Sequence, residues 1–182
     1  MIHQNAIRTP RLDMVPATLE ILTSELEHPE TLGSHLGAVI PPSWPPELLD
    51  RETLAEFVRM KSADSDPLFM TWYWILREPE TGGRVLAGSG GISSFSTAND
   101  AVIIGYSVLP EFHNRGYATE AVGCMISEIF RIPGIQRIVA TTYPHLLASV
   151  RVLEKNGFIF SGTISGGEGI EEGTALYIHT RK

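Results

Sequence analysis

The stretch from Ile103 to Glu120, IIGYSVLPEFHNRGYATE, runs from an apolar strand stopped by Leu109-Pro110, through a short loop carrying Arg115-Gly116, into an amphipathic helix. Such a junction can hold an anion. The first turn of a helix leaves its backbone N–H groups without intrahelical acceptors, and the macrodipole places partial positive charge there, so a phosphate binds without any dedicated side chain. Gly116 lets a phosphate approach the main chain because it has no Cβ and tolerates unusual φ. Arg115 beside it adds a permanent charge and a planar fork of donors. The same spacing also suits an ordinary strand–loop–helix connection, so absences narrow the ligand. No G-x-G-x-x-G follows a strand and no G-x-x-x-x-G-K-[ST] occurs, which disfavours the usual dinucleotide fingerprint and P-loop nucleotide hydrolysis.

Other polar residues make weaker cases. The six histidines, His3, His28, His35, His113, His145 and His179, lack the spacing of a metal site, and no metal is expected. His113 lies in the anion loop and could donate to a phosphate. Cys124 falls within an apolar helical pattern and reads as a small core residue rather than a nucleophile. Alternation sends Trp72 and Trp74 to one face of a strand and Tyr73 to the other, where core packing is the ordinary role. Trp44, bracketed by Pro41, Pro42, Pro45 and Pro46, reads as a pocket wall, with Trp72 and Trp74 as further candidates for lining a pocket.

The elements that position these residues follow from periodicity. Leu12, Met14 and Val15 suggest a first strand, and Pro16 opens a helix to about Glu27 with Leu19, Ile21, Leu22 and Leu26 on its apolar side. A second helix runs from about Glu47 to Lys61. Leu68 to Arg77 and Val85 to Phe95 form a hairpin, and Asn99-Asp100 turns into the Ile103 strand. Ala121, Val122, Met125, Ile129 and Phe130 mark a helix buried along one side and ending before Pro133-Gly134. Ile135 to Thr141 is a strand, Leu146 to Asn156 a helix with Gly157 as its left-handed terminal residue, and Phe158 to Thr163 and Ala175 to Thr180 are the last strands. Ser165 to Gly173 reads as a flexible hairpin loop whose glutamates are solvated.

The chain of 182 residues reads as one domain, 1–182, with ordinary globular composition. A formal charge of −7 disfavours non-specific nucleic-acid binding and favours a cationic partner. A single cysteine and the absence of a secretory leader suit a reducing cytoplasm. No apolar run approaches the ~20 residues of a membrane span, so neither membrane nor nucleic acid is an expected partner.

Two motifs carry a family resemblance. His113-Asn114-Arg115-Gly116-Tyr117-Ala118 resembles the [Q/R]-x-x-G-x-[G/A] signature of the GNAT superfamily of N-acetyltransferases, and Gly116 to Ala121 resembles its ribosomal-protein-alanine (RimJ/RimL-like) branch. Ala148 to Phe158, ASVRVLEKNGF, is similar to that branch's A-S-x-R-V-L-E-K-x-G-F segment. Thr9-Pro10-Arg11-Leu12 and the Trp44-Pro45-Pro46 loop also resemble the branch. The resemblance implies an α/β (α+β) fold: a mixed, mostly antiparallel sheet of six to seven strands flanked by about four helices and splayed at the cofactor strand. It implies acetyl-CoA as co-substrate and a peptide or small-molecule amine as acceptor, and a homodimer is compatible with it. The pyrophosphate would lie on the amides of Asn114, Arg115, Gly116, Tyr117, Ala118 and Thr119, near His113. The pantetheine arm would run beside Ser107, Val108 and Leu109, with the N–H of Val108 or Leu109 facing the thioester oxygen. Ser149 stands as the general acid and a cofactor contact, since Leu153 occupies the place of the superfamily's tyrosine. Tyr106, water or a substrate-side carboxylate is left to accept the amine proton, because Ile103 replaces a glutamate of close relatives. Leu146 replaces a pantetheine-binding asparagine, so a catalytically silent acyl-CoA-binding module is the alternative.

Overall fold

The computed structural model describes residues 6–47, 49–63, 66–78, 82–95, 98–164 and 173–181. Eight strands among them form one sheet: β1 (Ile7–Arg8), β2 (Leu12–Pro16), β3 (Met70–Arg77), β4 (Arg84–Ser94), β5 (Ala101–Val108), β6 (Arg137–Thr142), β7 (Ile159–Thr163) and β8 (Ala175–Thr180). Their order is β1-β2-β3-β4-β5-β6-β8-β7. Every neighbouring pair is antiparallel except β5 and β6, because the helix between those two crosses over the sheet and returns the chain in the same direction.

Five α-helices cover the two faces: α1 (Leu19–Glu27), α2 (Leu32–Leu36) and α3 (Arg51–Ala63) on one, and α4 (Tyr117–Ile129) and α5 (Leu147–Lys155) on the other. Alternation along β3 sorts the core as the pattern predicts. Trp72 and Trp74 pack with α4 and α5, whereas Tyr73 and Ile75 pack under α1 to α3. Ala121, Val122, Met125 and Ile129 of α4 are wholly buried, and burying each of the larger ones contributes about 1.5–3 kcal/mol.

Several boundaries differ from the sequence pattern. Pro16 ends β2 opposite Trp72 instead of opening a helix, because β1 pairs only with Asp13 and Met14 and leaves that edge without need of a donor. Thr18 caps α1 instead, accepting from the Ile21 N–H at 3.2 Å, and Leu19 is left exposed. Asp50 accepts from the Thr53 N–H at 2.8 Å, so α3 begins at Arg51 rather than near Glu47. The short β1 and α2 exceed the predicted counts of strands and helices. At two and five residues they are too brief to show a period.

Two local devices matter for the site. Gly157 has φ +80°, the Phe158 N–H reaches the Leu153 carbonyl and the Gly157 N–H that of Glu154, each at 3.0 Å, which closes α5 in a Schellman motif. In β4, Ala87 is an extra residue between the partners of Trp74 and Ile75, a bulge beside the end of β5. The predicted Ser165 to Gly173 loop lies outside the described residues except for Gly173.

Candidate active site

The centre of the sheet opens at one point. β5 pairs with β6 only from Ala101 to Ile104, while β4 follows β5 as far as Val108. From Gly105 onward the β6-facing edge of β5 therefore has no strand partner. The ladder tells which groups face the gap. Leu109 donates to the Ala87 carbonyl at 2.9 Å, which makes Gly88 and Val108 a non-hydrogen-bonded pair. By alternation, the main-chain N–H and C=O groups of Tyr106 and Val108 point into the opening, and those of Ser107 point back to Ser89. A substituent at Gly105 would meet nothing within 4 Å. Of the two oxyanion donors expected from sequence, only the Val108 N–H is without an acceptor among the described residues, since the Leu109 N–H is committed to Ala87 and Leu109 is buried.

The strand runs into the anion loop through a 3-10 turn at Pro110–Phe112. Asn114 and Gly116 both hold positive φ, +59° and +80°, and Gly116 occupies the N-cap of α4. These two residues reverse the chain direction ahead of α4. Among the described residues, nothing accepts from the N–H groups of residues 114–119, and the first intrahelical bond is Glu120 to the Gly116 carbonyl at 3.1 Å. Asn114 to Gly116 are exposed, and among the described residues the Arg115 guanidinium has only the Phe112 ring beneath it, 6.0 Å away. His113 serves the strand instead of the loop mouth: its Nε2 lies 2.7 Å from the Val108 carbonyl. A neutral imidazole donating from Nε2 keeps only an acceptor at Nδ1, so it offers a phosphate a donor only when protonated.

A brace missed in the sequence holds this loop. Arg11, the residue before β2, donates from Nη1 to the Arg115 carbonyl and from Nε to Glu120, both at 2.7 Å, and lies over the Tyr117 ring at 4.5 Å. Glu120 also accepts from the Arg11 N–H and the Thr9 hydroxyl. Partial burial opposes the Glu120 charge, but these hydrogen bonds and the Arg11 cation hold its carboxyl below the usual range. The partners are more than a hundred residues apart, and no local pattern announces them.

Tyr106 and Ser149, both singled out from sequence, meet across the opening. The phenol lies 3.2 Å from Ser149 Oγ and 3.3 Å from the Ser149 carbonyl, and its ring stacks on Trp74 with centroids 6.4 Å apart. Burial pushes the Tyr106 phenol upward, against the smaller opposite effect of Ser149. A phenol so placed keeps its proton near neutral pH and suits donation better than acceptance. Leu153 is buried in the core, and Leu146 sits at the N-cap of α5 without a side-chain capping bond. Asn156 of the second motif donates to the Thr119 and Val152 carbonyls and so ties α5 to the first turn of α4.

The three tryptophans separate. Trp72 and Trp74 are 1 % and 0 % exposed within the core, with no partner for either indole N–H among the described residues. That burial places both in the packing behind Tyr106 and away from any open wall. Trp44 is half-buried on the opposite face, its Nε1 donating to Glu25 at 2.6 Å and its ring tilted against Tyr73. Tyr73 donates to the other oxygen of Glu25. The adjacent Ser43 hydroxyl donates to Glu111 at 2.6 Å, which pins the proline loop to the turn that follows β5. Burial raises the Glu25 carboxyl above its ordinary value, outweighing the bonds from Tyr73 and Trp44.

A strand splayed from its parallel neighbour and leading into an unpaired helix N-terminus agrees with what comparison finds. Residues 7–159 match the acetyltransferase (GNAT) domain, and the chain belongs to that family. The uncharacterized N-acetyltransferase YoaA of Bacillus subtilis (strain 168) is 30% identical over 91 residues, covering 50% of this chain and 50% of YoaA, so the chain spans about half the length of this curated relative. The microcin C7 self-immunity acetyltransferase MccE, solved with acetyl-CoA and AMP, has a TM-score of 0.65 and 16% identity over 99% of this chain and 98% of its own. RimL, the ribosomal L7/L12 alpha-N-protein acetyltransferase, solved with coenzyme A, has a TM-score of 0.63 and 16% identity over 94% of this chain and 95% of its own. The fold is thus shared with ribosomal-protein acetyltransferases, as the sequence motifs implied. No metal-binding group of three or more His, Cys, Asp or Glu occurs among the described residues, and no helix there is long and apolar enough to cross a membrane.

Proposed function

We propose that the chain is an acetyl-CoA-dependent N-acetyltransferase that moves an acetyl group onto the primary amine of a protein N-terminus or a small molecule, by direct attack on the thioester. One observation carries it: the open main-chain edge of Tyr106 and Val108 leads without a break into the unpaired amides of residues 114–119. The residues fit the group. The loop amides and Arg115 suit a pyrophosphate, and the open edge suits the two in-line amides of a pantetheine arm, as an added strand would. His113 already occupies the Val108 carbonyl, so the arm is left the Tyr106 groups and the Val108 N–H.

Bound acetyl-CoA supplies a thioester activated toward amines. The Val108 N–H is a preorganised donor for an oxygen that gains negative charge, and a fixed donor of this kind costs no reorganisation as the charge develops. Tyr106, buried and paired with Ser149, holds the proton that a departing thiolate takes up. The other side of the sheet receives the acceptor, with Trp44 pinned beside the end of β5 as its wall. Ile103 brings no carboxylate to that side, and the amine proton passes to water.

The test mixes the protein with acetyl-CoA and a panel of amines and peptide N-termini and follows release of coenzyme A thiol. Turnover with at least one amine, reduced in Tyr106→Phe, is the expected result. Cofactor binding without turnover across the panel would favour the acyl-CoA-binding module.

A further inference from the structure

Arg11 contributes more to the anion loop than a brace explains. Its guanidinium carries five N–H donors in a rigid fork. Nε is taken by Glu120 and one Nη1 donor by the Arg115 carbonyl, and Tyr117 lies under the plane. Nη2 has no partner among the described residues. A Cβ built on Gly116 would sit 3.3 Å from it, so the free end of the fork stands immediately beside the glycine that lets a phosphate near the main chain. The side chain is 43% exposed. A cation held by three neighbours is already ordered, and a charge-assisted bond to it requires little further loss of side-chain entropy.

We propose that Arg11 is a phosphate-binding residue of the coenzyme A site, supplying from the residue before β2 a second guanidinium beside the loop that carries Arg115. The proposal rests on the reading of residues 114–119 as the pyrophosphate cradle. Glu120 offsets part of the charge through Nε, but it takes none of the Nη2 donors, so the fork keeps a donor end for phosphate. The arrangement also gives the Thr9 to Leu12 segment a role in binding, although four strands, β2 to β5, separate it from the loop in the chain.

The experiment measures binding of two probes, coenzyme A and phosphate-free pantetheine, to wild type, Arg11→Gln and Arg11→Lys by calorimetry at low and high salt. Arg11→Gln should weaken coenzyme A roughly 10- to 100-fold, flatten its salt dependence, and leave pantetheine unchanged. Arg11→Lys keeps the charge and loses the fork, so it should fall between the two for coenzyme A only. Equal loss for both probes, or an unaltered salt slope, would reduce Arg11 to a structural brace and overturn the proposal. Failure of the wild type itself to bind coenzyme A would instead remove the underlying site.

Discussion

Replacing Gly88 by alanine tests whether the bulge in β4 sets the position of the cofactor strand. A Cβ at Gly88 would lie 2.3 Å from the Ser107 carbonyl oxygen and 3.0 Å from Val108 Cα, so β5 must retreat by about 1 Å to restore an ordinary contact. Overpacking of this kind costs about 1–3 kcal/mol, and weakening one ladder bond adds about 1 kcal/mol. Removing a glycine returns about 0.5–1 kcal/mol by restricting the unfolded chain. The net loss is about 2 kcal/mol, large against the ~5–15 kcal/mol that holds a domain together. Gly105→Ala is the matched control, since its Cβ meets nothing. Urea unfolding gives the stability, and calorimetry with coenzyme A gives the affinity. Gly88→Ala should be less stable than wild type by about 2 kcal/mol and bind coenzyme A at least tenfold more weakly, because Val108 moves with Ser107. Stability within about 0.5 kcal/mol of the control together with unchanged affinity would refute the reasoning.

Further outcomes follow from the same geometry. Gly116→Asp should remove coenzyme A binding, because a carboxylate beside Arg11 Nη2 competes with phosphate, and should lower stability by about 1 kcal/mol, because a side chain at φ +80° is strained; a folded variant that binds as tightly as wild type would contradict the site. Glu25→Gln should gain stability relative to wild type as pH rises from about 4 to 7, measured by urea unfolding at several pH values. The sign follows from the raised carboxyl: its contribution is whole below the unfolded pKa and is lost as pH climbs through the higher folded one. A constant difference between the two proteins across that range would deny the shift. Asn156→Ala should loosen the start of α4 by removing one bond to the Thr119 carbonyl, seen as faster exchange of the amides of residues 120–123, the first that the helix pairs; unchanged exchange would mean that Asn156 does not hold the turn.

Local chemistry was legible in the chain, and long-range chemistry was not. Leu109-Pro110, Gly116 and the four-residue spacing of Ala121, Met125 and Ile129 mark the strand, cradle and helix because each acts within a few residues of itself. The same holds for Gly157, whose left-handed conformation closes α5. Pro16 misled because its fixed φ suits a helix start and a strand end equally well, and only the bare edge beside β1 decides between them. Trp72 and Trp74 alternate correctly, yet alternation cannot say that both lie sealed behind Tyr106. The Arg11–Glu120 brace joins positions 109 apart, and the Trp44–Glu25–Tyr73 cluster joins three separate elements. Both are products of topology. The commitment of the Leu109 N–H to Ala87 depends on a single extra residue in β4, which no periodicity reveals.

The most direct measurement titrates the protein with coenzyme A and follows every backbone amide in nitrogen–proton correlation spectra. The amides of residues 114–119, with those of Tyr106 and Val108, should shift together and saturate at one concentration, while the amide of Leu109, already bonded to Ala87, moves least among its neighbours. Saturable binding that shifts amides elsewhere and leaves residues 114–119 untouched would contradict the account.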